Sequence, residues 1–309
     1  MEDFRQAVAV FGPWDWACVA LNLSAAFAGV FALRSWQERS PEGLRPGMSA
    51  TDAALAVLTG LTSFSLLFCL VTGLATQSFQ TIFGISLTHI FTSTFLGQSA
   101  AIAAMLAMSL VAPATVSWAP AREEPDDAGD FRRARQAFSL PRIGTVMLCL
   151  LALGVALTAA WKGVHFGWEQ LALRGITGPA PADEPQEIVD IVLRTDVGTW
   201  TFAAIALAVT VGAPIMEELA FRGMLYPGLR RLGEAVSARH ARWLAVVLTG
   251  ALFSAAHLSA SAALPLFGFG AFMCLVRDRH GLLACMAAHA CFNGWNLLWL
   301  KLAPAAANL

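Results

Sequence analysis

The sequence predicts an all-α fold: a polytopic integral membrane bundle of about eight transmembrane helices. Three observations predict it. Apolar side chains make up 57% of the 309 residues and charged ones only 13%, a balance foreign to ordinary soluble domains. Several apolar runs reach the ~20 residues a helix needs to cross ~30 Å of hydrocarbon. The basic residues, finally, collect in alternate connections.

In chain order the apolar segments lie near 14–33, 53–75, 87–112, 143–161, 199–231, 242–258, 263–276 and 281–300. The N-terminus, MEDFRQAV, carries more acid than base before the first run. That is the wrong lead for a cleaved signal peptide, so the first segment is expected to stay as a span. The second and third spans are followed by a polar stretch, 113–142, containing AREEPDDAGDFRRAR, which reads as a solvated linker. Residues 1–142 thus form one part, three spans and a cytoplasmic linker, and 143–309 a C-terminal bundle. After the fourth span comes a Pro- and acid-rich connection, 162–198, where Ile188, Val189, Ile191, Val192 and Leu193 gather apolar surface at helical spacing. It is either an interfacial helix or a simple connector. A run from 199 to 231 would be about 50 Å long, too much for one straight span. Gly212 and Pro214 are the natural places for it to break or kink.

One set of alternating connections holds fifteen of the 20 basic residues, among them Arg34, Arg132, Arg142, Arg230, Arg242, Arg277 and Arg279. The other set holds only Arg5, Lys162, Arg174, Arg194 and Lys301. The positive-inside rule puts the first set in the cytoplasm and both termini outside, in what is expected to be the plasma membrane. A net charge of −1 and no basic block give no sign of a nucleic-acid partner; membrane lipids are the expected surroundings. The six cysteines fall inside apolar segments without a CxxC pair and read as small buried hydrophobes.

Against this apolar background MEELAFRG at 216–223 is out of place. A charged side chain at mid-membrane costs roughly 2.5–3.5 kcal/mol on insertion scales. Glu218 and Arg222 are four apart, on one helix face and in the favourable acid-before-base order. Glu217 is rotated about 100° from Glu218, so one carboxylate is expected to be paired and the other free. Two further clusters share this spacing: Phe253 with His257, and His289 with Asn293. Counted from the cytoplasmic arginines, Glu217, His257 and His289 lie about 21, 22 and 15 Å deep, so they can meet near mid-membrane. His89, with Gln98 nearby, reads as a structural hydrogen-bonding residue.

EExxxR, FxxxH and HxxxN, in that order, resemble the CAAX-protease and bacteriocin-processing family, also called the Abi or prenyl protease 2-like family of intramembrane proteases. Here they are Glu217–Arg222, Phe253–His257 and His289–Asn293, with Gly223 after the arginine. The resemblance covers about 199–300 and implies an intramembrane endopeptidase acting on a hydrophobic or lipidated, CAAX-like peptide or protein. No serine, cysteine or threonine sits in a nucleophile motif, so direct attack by water is expected. Glu217 would be the general base, His257 would hold the water, and His289 and Asn293 would donate to the oxyanion. Glu218 and Arg222 would fix the helix and its field. The chain lacks HExxH, and no cofactor is certain. If a divalent metal such as zinc takes part, Glu217, His257 and His289 are the three ligands available, with water fourth. Two other readings use the same residues: a non-enzymatic immunity or scaffold protein, and an ion-coupled transporter. The transporter reading is the weaker, because only one helix break is visible where paired broken repeats are usual.

Overall fold

The computed structural model describes residues 48–83, 87–118, 140–179, 197–260 and 262–303, with Ala20, Ser24 and Val192 as isolated positions. Among these residues the chain is all-helical, without a strand. Helix α1 runs through Ala50–Leu61, a wide π-turn at Thr62–Leu67, and Phe68–Phe83. Its start is fixed by a capping box: Ser49 Oγ accepts from Asp52 N–H, and the Asp52 carboxylate accepts from Ser49 N–H, which satisfies two donors that a helix start leaves open. Then follow α2 (Leu87–Val111), α3 (Leu140–Leu173), α4 (Thr199–Ser237), α5 (Ala241–Ala256), α6 (Ala263–His280) and α7 (Leu282–Leu302). Helices α6 and α7 are separated by the single residue Gly281, whose φ of 79° suits glycine and few other residues.

Four helices are long and apolar enough to cross a membrane: Ala50–Ile82, Ile90–Val111, Leu140–Leu173 and Thr199–Ser237. The expected count of eight spans is not reached among the described residues. The segment 14–33 lies outside them but for Ala20 and Ser24, and α5 is a shorter apolar helix. The stretch 188–193, read as an interfacial helix or a connector, also lies outside them, except that Val192 is helical and packs with Phe91, Ile205 and Leu297.

Two helices differ from the reading of the sequence. Helix α3 continues to Leu173 rather than ending near 161, because Lys162 and Glu169 interrupt the hydropathy without interrupting the backbone. Helix α4 is not broken at Gly212 or Pro214. It runs 39 residues without interruption, about 58 Å, and absorbs the proline in a π-turn at Ala208–Gly212, with a second π-turn at Glu218–Leu225. A π-turn carries one extra residue per turn, so it accommodates the missing N–H without ending the helix.

Helix α4 is the axis of the packing. Met216, Leu219, Ala220, Phe221, Met224 and Leu225 are buried in one apolar core with residues of α1, α2, α3, α5, α6 and α7. Its far end is held by charge. The buried Asp278 carboxylate accepts from Tyr226 Oη–H at 2.8 Å and Arg242 Nε–H at 3.1 Å, and Arg230 Nη1 lies 3.5 Å away. One carboxylate therefore ties the ends of α4, α5 and α6 together. The chain after α2 completes this end: Ser117 N–H donates to the Gly223 carbonyl and Leu282 N–H to the Trp118 carbonyl.

Helices α5 and α6 cross at Gly250 and Gly270. A Cβ on Gly270 would lie 3.0 Å from both Gly250 Cα and Phe253 Cβ. Backbone cannot retreat as a flexible side chain can, so Gly270→Ala is expected to cost about 1–3 kcal/mol and to lower the thermal unfolding midpoint of the purified protein in detergent.

Candidate active site

The π-turn at Ala208–Gly212 sets the face that α4 presents below it, because one added residue turns everything downstream by about 100°. Glu217 and Glu218 follow five and six residues later. In this register both are buried, but in different surroundings. Glu218 is fully enclosed, and its Oε1 accepts from Arg222 Nη1–H at 3.0 Å and from His289 Nδ1–H at 2.8 Å. The Arg222 guanidinium, also fully buried, donates in addition to the Gly270 carbonyl at 3.1 Å and lies 4.5 Å over the Phe253 ring. A buried guanidinium is thus held by a carboxylate, a carbonyl and an aromatic face.

Glu217 lines a cavity of about 1120 Å³, together with His257, His289 and Asn293. Its Oε2 has no hydrogen-bond partner, and His289 Nε2 lies 3.8 Å from it. The rest of the wall is mainly apolar, with Leu150, Phe269, Phe292 and Trp295 among its residues. Of the six residues singled out from the sequence, four border this cavity, while Glu218 and Arg222 stand behind Glu217 and His289.

Bonding partners decide which ring nitrogens remain available. His257 Nδ1 lies 2.8 Å from the Phe253 carbonyl; a carbonyl only accepts, so Nδ1 carries the hydrogen and the neutral ring keeps a lone pair on Nε2. His289 Nδ1 likewise donates, to Glu218. Asn293 Nδ2 donates to the Val209 carbonyl at 2.9 Å, so its amide is turned to α4.

Phe269, not singled out from the sequence, stacks against this group. Its ring centroid is 4.8 Å from that of His289, 5.6 Å from Phe253 and 5.3 Å from Phe292. A phenylalanine in an apolar helix gives no signal that separates it from any other core residue. Gly270, whose carbonyl receives Arg222, is equally silent.

Among the described residues no three His, Cys, Asp or Glu side chains are gathered closely enough to hold an ion. The engaged Nδ1 atoms of His257 and His289 leave Nε2 as the ring nitrogen each can turn to a ligand.

Residues 199–295 match the family model described as type II CAAX prenyl endopeptidase Rce1-like. The match is a similarity over about a third of the chain. The resemblance drawn from the three motifs rests on the same residues. The matched segment begins at the first residue of α4 and includes every residue of the polar cluster, from Glu217 to Asn293. No curated protein and no solved structure matches the chain.

The two glutamates of the Rce1-like segment should separate in a stability measurement. Glu218→Gln strands a buried guanidinium without its counter-charge and is expected to cost about 3–5 kcal/mol. Glu217→Gln replaces a carboxylate whose Oε2 has no partner, and is expected to cost about 1 kcal/mol or less. Unfolding midpoints of the two variants, measured side by side in one detergent, check this.

Proposed function

We propose that the Rce1-like segment is an intramembrane endopeptidase that hydrolyses a peptide bond with a water activated by Glu217. The observation that supports this is the cavity-lining Glu217 carboxylate with an unpartnered oxygen, 3.8 Å from an imidazole that a second carboxylate fixes in place. Peptide hydrolysis needs a base for water and a donor for the oxyanion, and both are at hand.

In this reading water sits between Glu217 and His257, donating one hydrogen to the carboxylate and the other to the His257 Nε2 lone pair. Glu217 takes the first proton as the oxygen attacks the scissile carbonyl carbon. His289, when protonated, presents Nε2–H to the oxyanion while Glu218 holds its Nδ1–H. In that state two carboxylates face one guanidinium and one imidazolium, so the enclosed group carries no net charge. The tetrahedral intermediate collapses as the carbon–nitrogen bond breaks, and Glu217 returns its proton to the leaving amine. Asn293 gives one of its two amide hydrogens to the Val209 carbonyl and keeps the other available for the oxyanion contact expected of it from the sequence.

The mainly apolar wall of the cavity favours a substrate with a hydrophobic or lipid-modified portion. The arginines around Asp278 lie at one end of α4, α5 and α6, and the positive-inside rule places that end in the cytoplasm. The opposite end of these helices then faces outward.

Purified protein in liposomes, supplied with a library of amphipathic and prenylated peptides, tests the proposal. Cleavage is expected, unchanged by chelator, and Glu217→Gln should reduce it about 10²–10⁴-fold while the protein stays folded. Cleavage at the parent rate by Glu217→Gln would overturn the assignment. Absence of cleavage, with biological activity surviving in that variant, would favour an immunity or scaffold protein.

A further inference from the structure

We infer that Asn293 is a positioning residue that acts through the backbone of α4, by closing a carbonyl that the helix itself leaves open. In the π-turn at Ala208–Gly212 the N–H of Ala213 donates to the Ala208 carbonyl. The next residue, which would serve the Val209 carbonyl in the same i to i+5 pattern, is Pro214 and has no N–H. The i+4 donor for Val209 is that same Ala213 N–H, already used. Val209 thus has no backbone donor in either register. Val209 lines the mainly apolar cavity, and an unmet acceptor in such surroundings is costly. The Asn293 amide, from α7, donates to it at 2.9 Å.

The consequence reaches Glu217. The π-turn places one extra residue ahead of it, and without that residue the downstream helix would rotate by about 100°, carrying Glu217 off the face it now presents to the cavity. Gly212, the last residue of the turn, packs so closely on Gln98 of α2 that any Cβ there would meet the Gln98 side chain. The turn is therefore bonded to α7 through Asn293 and packed against α2 at Gln98. Asn293 and His289 are one turn apart on α7, so the helix that supplies the imidazole also fixes the register of the helix that supplies the carboxylate. This role goes beyond the proposed hydrolysis and shares with it only the kinetic arm of its test.

A double-mutant cycle separates positioning from direct contact with substrate. Pro214→Ala restores an N–H that can reach the Val209 carbonyl within the π-turn. Asn293→Ala alone is expected to lower the unfolding midpoint and to reduce kcat about tenfold with KM little changed. In the Pro214→Ala background the same substitution should cost less than about threefold in kcat and leave the midpoint unmoved. Equal losses of kcat in both backgrounds would overturn the inference, since an oxyanion donor cannot be replaced by a backbone N–H at position 214. An unchanged midpoint in Asn293→Ala would overturn it as well. If Asn293→Ala does not fold, Asn293→Asp keeps the volume, removes the donor and enters the same cycle. The midpoints are read without substrate, so a protein that cleaves nothing still tests the clamp while the peptidase reading fails separately.

Discussion

The structure depends on one oxygen atom. Glu218 Oε1 receives both the Arg222 guanidinium and the His289 imidazole inside a fully enclosed space. Removing one partner of such a buried pair costs about 3–5 kcal/mol, far more than an exposed pair contributes. That asymmetry explains why the surroundings are so heavily committed to it: the Gly270 carbonyl, the Phe253 face and the close crossing of α5 and α6 all serve the same guanidinium. Because the Glu218 and Arg222 charges offset each other, the imidazole of His289 can be fixed on α7 without adding an isolated charge to the core. Glu217, one residue away, is left with a carboxylate oxygen that has no hydrogen-bond partner. Glu218 is committed to Arg222 and His289 through Oε1, and of the two carboxylates it is Glu217 that borders the cavity.

Helix α4 brings this about by departing from regular geometry twice. A straight α-helix would put residues 217 and 218 about 100° apart, but would not say which of them meets the cavity. The π-turn ahead of them chooses, and the second π-turn, at Glu218–Leu225, covers the residues from Glu218 through Arg222. π-turns are rare and concentrate at functional sites. Here each has an external support: Asn293 and Gln98 at the first, and Ser117 N–H on the Gly223 carbonyl at the second. The cluster around Asp278 then fixes the far ends of α4, α5 and α6, so the depth of the polar group is set from outside the site.

Much of this was legible because polar residues in apolar helices are outliers. Glu217, Glu218, Arg222, His257, His289 and Asn293 stand out from their neighbours, and their i, i+4 spacing assigns partners within each helix. The pairing of Glu218 with Arg222 follows from that spacing alone. Contacts between helices do not. That His289 would meet Glu218 Oε1, and that Asn293 would meet a backbone carbonyl, depends on helix register across the bundle, which hydropathy does not encode. Gly212 and Pro214 read as places for a break or a kink, Pro214 because a proline removes a donor; a π-turn that tolerates the loss leaves no mark in composition. Lys162 ended the fourth span on paper, although a charged residue at a membrane boundary need not end a helix. Asp278 falls between the apolar segments 263–276 and 281–300, yet it is fully buried. The stretch at Ser117 and Trp118 read as the start of a linker, but its backbone is bonded to α4 and α7.

The most direct test of this arrangement needs no substrate. A small hydrophobic carbodiimide can be used to label the folded protein in detergent, with the modified carboxylates read by peptide mass spectrometry. Glu217, bordering the cavity, should be modified while Glu218 is spared, and Glu218 should become reactive when Arg222→Ala opens its surroundings. Equal modification of the two glutamates in the unaltered protein, or labelling of Glu218 alone, would contradict the account.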